Sequence, residues 1–320
     1  MKTRKLRDIE VSEVGMGCMA FSHGYGAIPD EQYSIEAIRG AYDAGCTFFD
    51  TAEVYGPNLA RSQRGHNERI VGKARAGVRD DVVIATKLFL DAGIGSTYRR
   101  VRKHLEASME RLQTDHIDLY YLHRMGSTPI EDVAEAMGRL IDEGLIDGWG
   151  LSQVGVDTIS RAQAVTPLSA VQNIYSMVER DVEREVIPYC SEHRIGLVAF
   201  SPVASGLLSG KVRSTSQFER VDDVRTWVPQ LSEGNLRANM PLVDMLEGFA
   251  ARRGCTPAQL SLAWMLAKWP NVVPIPGSKN KGRILENLGA AEVELTEEEF
   301  AQLEAALDKI TVYGHRGFNR

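Results

Sequence analysis

The feature of this 320-residue chain that most limits its fold is a period: a short apolar run followed by a longer amphipathic stretch, recurring every 20 to 40 residues or so. Such a period marks βα units. Eight runs read as strands: Glu13 to Met19, Cys46 to Asp50, Asp81 to Lys87, Ile117 to His123, Ile146 to Ser152, Ala170 to Asn173, Gly196 to Ser201 and Asn271 to Pro276. The stretches between them carry helical spacing. In Asp30 to Ala44, Ile35, Ile38 and Ala41 share a face and Gly45 is the stop; in Ser96 to Leu112 the face is Val101, Leu105, Met109 and Leu112. A right-handed crossover after each of eight parallel strands returns the sheet to its own edge. The pattern therefore predicts an α/β fold, a closed (β/α)8 TIM barrel forming a single domain over residues 1–320. The polar opening segment Met1 to Val11 is predicted to pair with itself as an N-terminal hairpin under the barrel. Two stretches exceed a βα unit: a long loop after strand 7, Pro202 to Ala238, and a C-terminal extra helix, Thr296 to Ile310, with the tail Thr311 to Arg320. A loop of that length in a compact domain is usually a functional lid or disordered.

Charge narrows the partners. The 37 Lys and Arg against 43 Asp and Glu are spread without a basic block, so a nucleic-acid or anionic-membrane surface has little support and a small molecule is the expected partner. The start MKTRKLRDIE has no apolar segment behind it and no run approaches a membrane span, which predicts a cytoplasmic protein. Cys18, Cys46, Cys190 and Cys255 lie too far apart for a CxxC site and too few to staple the chain; reduced, buried thiols and no metal site are expected. No feature points to an oligomer.

One motif is a decoy. The run from Gly15 to Ala20, GMGCMA, fits the G-x-G-x-x-G/A dinucleotide pattern, yet a loop, FSHGYGAIP, follows where a helix should open, and no acidic residue ends a second strand about 20 residues on. A stronger signal stands at the strand ends, where barrel enzymes place their chemistry. The second candidate strand ends in Asp50, the third in Lys87 and the fourth in His123, with spacings of 37 and 36 residues that set the three on adjacent strands at one rim. Tyr55, in the loop after Asp50, reaches the same mouth. Singly, each has an ordinary structural explanation as a cap, a solvated amine or a packing residue. Together they make chemical sense, because a buried Lys and Asp are costly unless they pair. An ammonium about 4 Å from a phenol is worth roughly 4 kcal/mol at an effective dielectric of 20, which lowers the phenol's pKa toward neutral pH before burial pushes it back. A phenol so tuned is a general acid.

These residues sit in a chain that resembles the aldo-keto reductase superfamily, in its microbial and plant branches, from about Val11 to about Leu307. The likeness is carried by GMGCMAF at Gly15, DAGCTFFDTAEVYG ending at Gly56, NERIVGKA at Asn67, ATK at Ala85, RLQTDHIDLYYLHR ending at Arg124, GLS at Gly150, AVQNIYS at Ala170, GLVAFSPVASGLLSGK at Gly196 and PIPGSKNKGRILENLGA at Pro274. The resemblance implies NADP(H)-dependent reduction of an aldehyde or ketone on a barrel that binds the dinucleotide without a Rossmann fold. It makes Asp50, Tyr55, Lys87 and His123 the catalytic tetrad, with Tyr55 as proton donor, Lys87 stabilising the tyrosinate and His123 orienting the carbonyl oxygen. It places Ser152 and Gln172 at the nicotinamide carboxamide, with Gln153 where Asn is the commoner residue, and Phe200 on the ring face where Tyr is usual. Ser201, Pro202, Val203, Gly206 and Leu208 fall at the pyrophosphate, and Gly277, Ser278, Lys279, Arg283, Glu286 and Asn287 at the adenosine end. The hydroxyl, ammonium and guanidinium of Ser278, Lys279 and Arg283 suit a phosphate monoester, hence NADPH over NADH. From position alone, Phe21, Tyr25, Phe89 and Met125 are expected to line an apolar substrate pocket, and Trp227 to close over it.

Two other readings stay open at this level. One is a regulatory barrel like the family's channel β subunits, sensing redox state through NADP(H). The other is a cofactor-free isomerase or lyase in which Lys87 is a Schiff-base or general-base residue.

Overall fold

The computed structural model describes residues 1–58, 60–90, 93–218 and 222–317; the last three tail residues and 219–221 of the long loop, both within expectations above, lie outside the described residues. The opening segment forms the expected antiparallel hairpin, β1 (Thr3–Leu6) and β2 (Ile9–Ser12), with Leu6 opposite Ile9. Eight parallel strands follow, each hydrogen-bonded to the next in chain order: β3 (Met16–Gly17), β4 (Phe48–Asp50), β5 (Val83–Leu88), β6 (Ile117–Leu122), β7 (Ile146–Ser152), β8 (Ala170–Ile174), β9 (Gly196–Phe200) and β10 (Val272–Pro274). Packed outside them are α1 (Glu31–Asp43), α2 (His66–Ala74), α3 (Thr97–Leu112), α4 (Ile130–Asp142), α5 (Val156–Val165), α6 (Val186–Glu192), α7 (Glu233–Ala238), α8 (Met240–Arg253), α9 (Pro257–Lys268), α10 (Lys281–Leu288) and α11 (Glu297–Leu307).

The circle closes at β3 and β10. Gly15 N–H donates to Pro274 O at 2.9 Å, and Gly17 and Gly277 form a parallel bridge. A Cβ on Gly17 would lie 3.0 Å from Ile275 O, and one on Gly277 3.0 Å from Gly17 O, so the seam needs glycine on both edges. This fold is the (β/α)8 barrel that the period predicts. Its first strand is shorter than the run Glu13 to Met19, because Glu13 N–H turns to Lys2 O in the hairpin at 3.1 Å and Gly15 turns to β10, leaving only Met16 and Gly17 to pair with β4. The helix signals hold. Asp30 caps α1 by accepting from Tyr33 N–H, Ser96 caps α3 by accepting from Arg99 N–H, and Gly45 leaves α1 at φ +88°. The C-terminal helix starts at its Thr296–Glu299 capping box but stops at Leu307, short of Ile310. The long loop is a chain of short 3-10 turns ending in α7. Among the described residues, no helix is long and apolar enough to cross a membrane.

Alternation along the strands sorts two cores. One face of the sheet packs on the helices. The other fills the barrel with Phe48, Ala85, Leu119, Tyr121, Ala170, Val198, Val273 and Ile275, and Leu6 and Val11 of the hairpin join this inner cluster. The hairpin fits because the strands above it lack side chains there: a Cβ on Gly196 would lie 2.2 Å from Leu6 Cδ2, and one on Gly148 2.9 Å from Ile9 Cδ1. Arg4 fastens it, donating to the carbonyls of Leu266, Trp269 and Val272 at 2.6 to 2.8 Å.

The hairpin is thus a plug made of core. Leu6→Ala is expected to cost about 2–5 kcal/mol of stability, the range for emptying a buried leucine site; a urea unfolding midpoint that barely moves would show that the hairpin only lies against the barrel.

Candidate active site

A cavity of about 1150 Å³ opens at the C-terminal ends of the strands, lined by Gly17, Asp50, His123, Ser152, Gln172, Phe200 and the segments that follow β9 and β10. The alternation that fills the barrel also builds its floor. Two residues beyond the inward-facing Phe48, Ala85, Tyr121, Ala170 and Val198 stand Asp50, Lys87, His123, Gln172 and Phe200, so the layer above the apolar plug is polar except at Phe200. The GMGCMA run is confirmed as a decoy: Met19–Phe21 make a 3-10 turn and α1 begins only at Glu31.

The four residues singled out at the strand ends are brought together. Lys87, fully buried, donates from Nζ to Asp50 Oδ1 at 2.5 Å and to Thr51 O at 2.7 Å, and Gln172 Nε2 donates to the other oxygen of Asp50 at 2.7 Å. The ammonium lies 5.2 Å from the Tyr55 ring centre, and the Tyr55 and His123 rings meet edge to face at 5.8 Å. Tyr55 is half-buried at the cavity wall. Burial lowers the Lys87 ammonium, but the charge and hydrogen bond of Asp50 outweigh it and hold the group above its ordinary value, so it stays charged. For Tyr55 the balance falls the other way from the expectation: burial raises the phenol, the Lys87 charge pulls it down, and burial wins. The phenol is therefore protonated at neutral pH. Burial, with the charges of Lys87 and Arg124, pushes His123 down to about 2, so its imidazole is neutral. Neither His123 nitrogen has a partner among the described residues, and Nδ1 is buried without one.

The far end of the cavity is built by the segments after β9 and β10. Ser201, Ala204 and Ser205 take left-handed backbone at φ +53°, +48° and +55°, beside Gly206 at +99°. Such a run of non-glycine left-handed residues is strained and common at ligand clamps. Ser201, Pro202, Val203, Gly206, Gly277, Ser278, Lys279, Arg283, Glu286 and Asn287 all line this end, and the buried Ser205 Oγ and Glu286 Oε1 have no partner. Lys279 reaches across to the loop before α1, donating to the carbonyls of Tyr25 and Ala27 at 2.6 and 2.5 Å.

Other expectations fare differently. Leu208 is fully buried and lies outside the cavity lining. Phe21, expected at the substrate, is also fully buried and packs in the core between sheet and helices. Phe89 and Met125 are exposed outside the lining; Phe89 N–H is held by Glu53 Oε1 at 2.7 Å, which fixes the backbone of the β5 loop. Tyr25 and Trp227 do line the cavity, Trp227 from the long loop and still 80% exposed. Gln153 follows Ser152 with φ +59°, and its buried Oε1 is unpartnered. Several lining residues carry no signal used above, Arg124 and Arg316 among them. Arg124 follows His123 directly and was within reach of the same strand-end logic; Arg316 sits in the tail, and its contact with Ser201 spans a separation of 115 residues that no local pattern signals. Three cysteines are buried, Cys255 is half-buried, and all four are free.

The family model for the aldo/keto reductase family matches residues 13–308. A probable aldo-keto reductase of Glycine max is 38% identical over 323 residues, covering 97% of this chain and 89% of that protein. Among solved structures, the glycerol dehydrogenase of Gluconobacter oxydans superposes with a TM-score of 0.84 at 27% identity, over 99% of this chain and 98% of that one. An aldo-keto reductase of Klebsiella pneumoniae in complex with NADPH gives 0.74 at 28% identity, over 98% and 100%.

The environment of His123 is testable without turnover. Its pKa near 2 lies below the unfolded value of about 6.5. The folded state therefore resists a proton that the unfolded chain takes up, and this group costs stability progressively as pH falls below about 6.5. Nitrogen-15 NMR of the imidazoles is expected to show His123 neutral down to the acid limit of folding; a titration near 6.5 would contradict the burial of its ring.

Proposed function

The chain belongs to the aldo/keto reductase family, and we propose that it reduces an aldehyde or ketone to the alcohol with NADPH, whose nicotinamide C4 supplies the hydride, and with Tyr55 as proton donor. The observation that carries this reading is the buried Lys87–Asp50 pair beneath a protonated Tyr55, with neutral His123 beside it at the mouth of a large cavity. The residues present fit the cofactor. The cavity has room for a dinucleotide, its phosphate-side wall carries Lys211, Lys279 and Arg283, and the orphaned Ser205 Oγ and Glu286 Oε1 are buried polar atoms in want of a ligand. The Klebsiella pneumoniae neighbour in complex with NADPH and the Gluconobacter oxydans glycerol dehydrogenase, named for the interconversion of an alcohol and a carbonyl, support the same class.

Each residue then has a task. Tyr55 Oη gives its proton to the carbonyl oxygen, and Lys87 stabilises the phenolate left behind. Because the raised phenol keeps its proton at neutral pH, the resting enzyme is set for reduction. His123, neutral, donates from its free nitrogen to the same oxygen and aims it at Tyr55. Asp50 fixes the ammonium and keeps it charged. Gln172 spends its amide N–H on Asp50, so its oxygen remains for the carboxamide, beside the Ser152 hydroxyl. Phe200 presents its ring face at the same place. Ser201, Pro202, Val203 and Gly206 serve the pyrophosphate, and Gly277, Ser278, Lys279, Arg283, Glu286 and Asn287 the adenosine half. Arg283, which is exposed, meets the 2′-phosphate more freely than Lys279, whose ammonium is tied to two carbonyls.

Tyr55→Phe is expected to cut carbonyl reduction at least about a hundredfold, the scale of general acid catalysis, while NADPH affinity is kept. Near wild-type turnover would remove Tyr55 from the chemistry. Lys279→Ala with Arg283→Ala is expected to weaken NADPH about tenfold or more relative to NADH, by titration of protein fluorescence; equal losses for both cofactors would place neither residue at the 2′-phosphate.

A further inference from the structure

The charged side chains around the cavity are mostly matched. Asp50 holds Lys87, Lys211 is paired with Glu286 at 2.5 Å, and Arg225 with Asp223 at 2.6 Å. Two guanidinium groups at the reacting end are not. Arg124 donates from Nη1 to His123 O at 2.6 Å and to Ser152 Oγ at 3.1 Å, and Arg316 from Nη1 to Ser201 Oγ at 2.9 Å. Neither has a carboxylate within ion-pair distance among the described residues, and Nε and Nη2 of both make no hydrogen bond there. Both groups are exposed to the cavity mouth. Each is tethered through one nitrogen, which orients the remaining donors as a fork.

Their placement is built rather than accidental. Arg124 follows His123 at the end of β6 and acts on Tyr55 with its charge. Arg316 is carried there by the tail. Tyr313 is held by Asn239 in two hydrogen bonds of 2.9 Å, and Arg316 N–H donates to the buried Glu179 at 2.5 Å, so the tail backbone is pinned at both residues. The guanidinium then lies 5.9 Å from the Phe200 ring centre. The two cations are close enough for Arg316 to depress the pKa of Arg124, after burial. Two like charges that line one cavity with free donors are relieved by an anion that meets both.

We propose that Arg124 and Arg316 bind the carboxylate of the substrate, which makes the substrate class an oxo acid, an aldehyde or ketone bearing a carboxylate, rather than a carbonyl compound with a purely apolar tail. This rests on the reductase reading above. Trp227 and Tyr25 supply the apolar wall, while the guanidinium pair fixes the acid end and leaves the carbonyl to Tyr55 and His123.

The test uses the full chain with NADPH and two matched pairs that differ in reach: 4-formylbenzoate with 4-formylbenzamide, and 4-oxobutanoate with 4-oxobutanamide. At least one carboxylate is expected to be preferred about tenfold or more in kcat/KM, chiefly through KM, as charge-assisted hydrogen bonds imply. Arg316→Ala is expected to bring that ratio toward one, Arg316→Lys to restore part of it, and raising salt from about 0.05 to about 0.5 M to shrink it. Wild-type ratios within about twofold in both pairs would overturn the proposal. So would an Arg316→Ala enzyme whose NADPH KM rises with both pair members slowed alike, since the guanidinium would then serve the cofactor. If no carbonyl in the set is reduced, the reductase reading fails, and the anion site is read separately from quenching of tryptophan fluorescence by 4-formylbenzoate. Quenching that is stronger than with the amide and lost in Arg316→Ala upholds the site; equal quenching ends it.

Discussion

The buried ion pair of Lys87 and Asp50 is the interaction on which the reacting end depends. Taking an ammonium and a carboxylate out of water costs several kcal/mol per ion, and mutual attraction repays it only if the remaining hydrogen-bonding capacity is also met. Here it is met: Thr51 O accepts from the ammonium, and Gln172 donates to the free carboxylate oxygen. The pair lies above an apolar plug that water cannot enter, because the hairpin residues Leu6 and Val11 complete the inner cluster from below. Barrel closure, plug and ion pair are therefore one construction. Asp50 and Lys87 stand on neighbouring strands, β4 and β5, whose parallel ladder fixes their spacing.

That construction sets the proton chemistry around it. A wetter site would leave Tyr55 near its solution value and let His123 titrate. In this one, burial raises the phenol despite the adjacent cation and drives the imidazole to its neutral form. The charge term at Tyr55 follows from the spacing of Lys87, but the burial term does not, since the extent of desolvation is a property of everything that packs around the ring. The neutral state of His123 follows from the same burial.

Much of the site was legible because a barrel turns order along the chain into position around a rim. Asp50, Lys87 and His123 lie one βα unit apart, and their residue types at strand ends were enough to put them together. Even the inward direction of each was implicit, two residues beyond an apolar residue that faces the barrel interior. The segments after β9 and β10, proposed above for the cofactor, became legible only through family resemblance, since their backbone conformations, left-handed at Ser201, Ala204 and Ser205, have no signature in composition. Substrate residues were the least legible. Phe21 and Phe89 sit on strand-end loops like the residues that do line the cavity, yet a turn buries one, and the hydrogen bond that Phe89 N–H donates to Glu53 fixes the loop carrying the other.

The sequence by itself determined the barrel, the order of its strands, the hairpin beneath it and the identity of the four residues at the mouth, because each of these rests on periodicity or on spacing within one or two units. Tertiary structure alone decided the balance between burial and charge at Tyr55, the exclusion of Phe21 and Leu208 from the cavity, and the arrival of Arg316 in the same cavity wall as Arg124. The physical reason is range. Periodicity is local and survives in the linear chain, whereas desolvation and the field between charges depend on distances in space that the chain fixes only after it has folded.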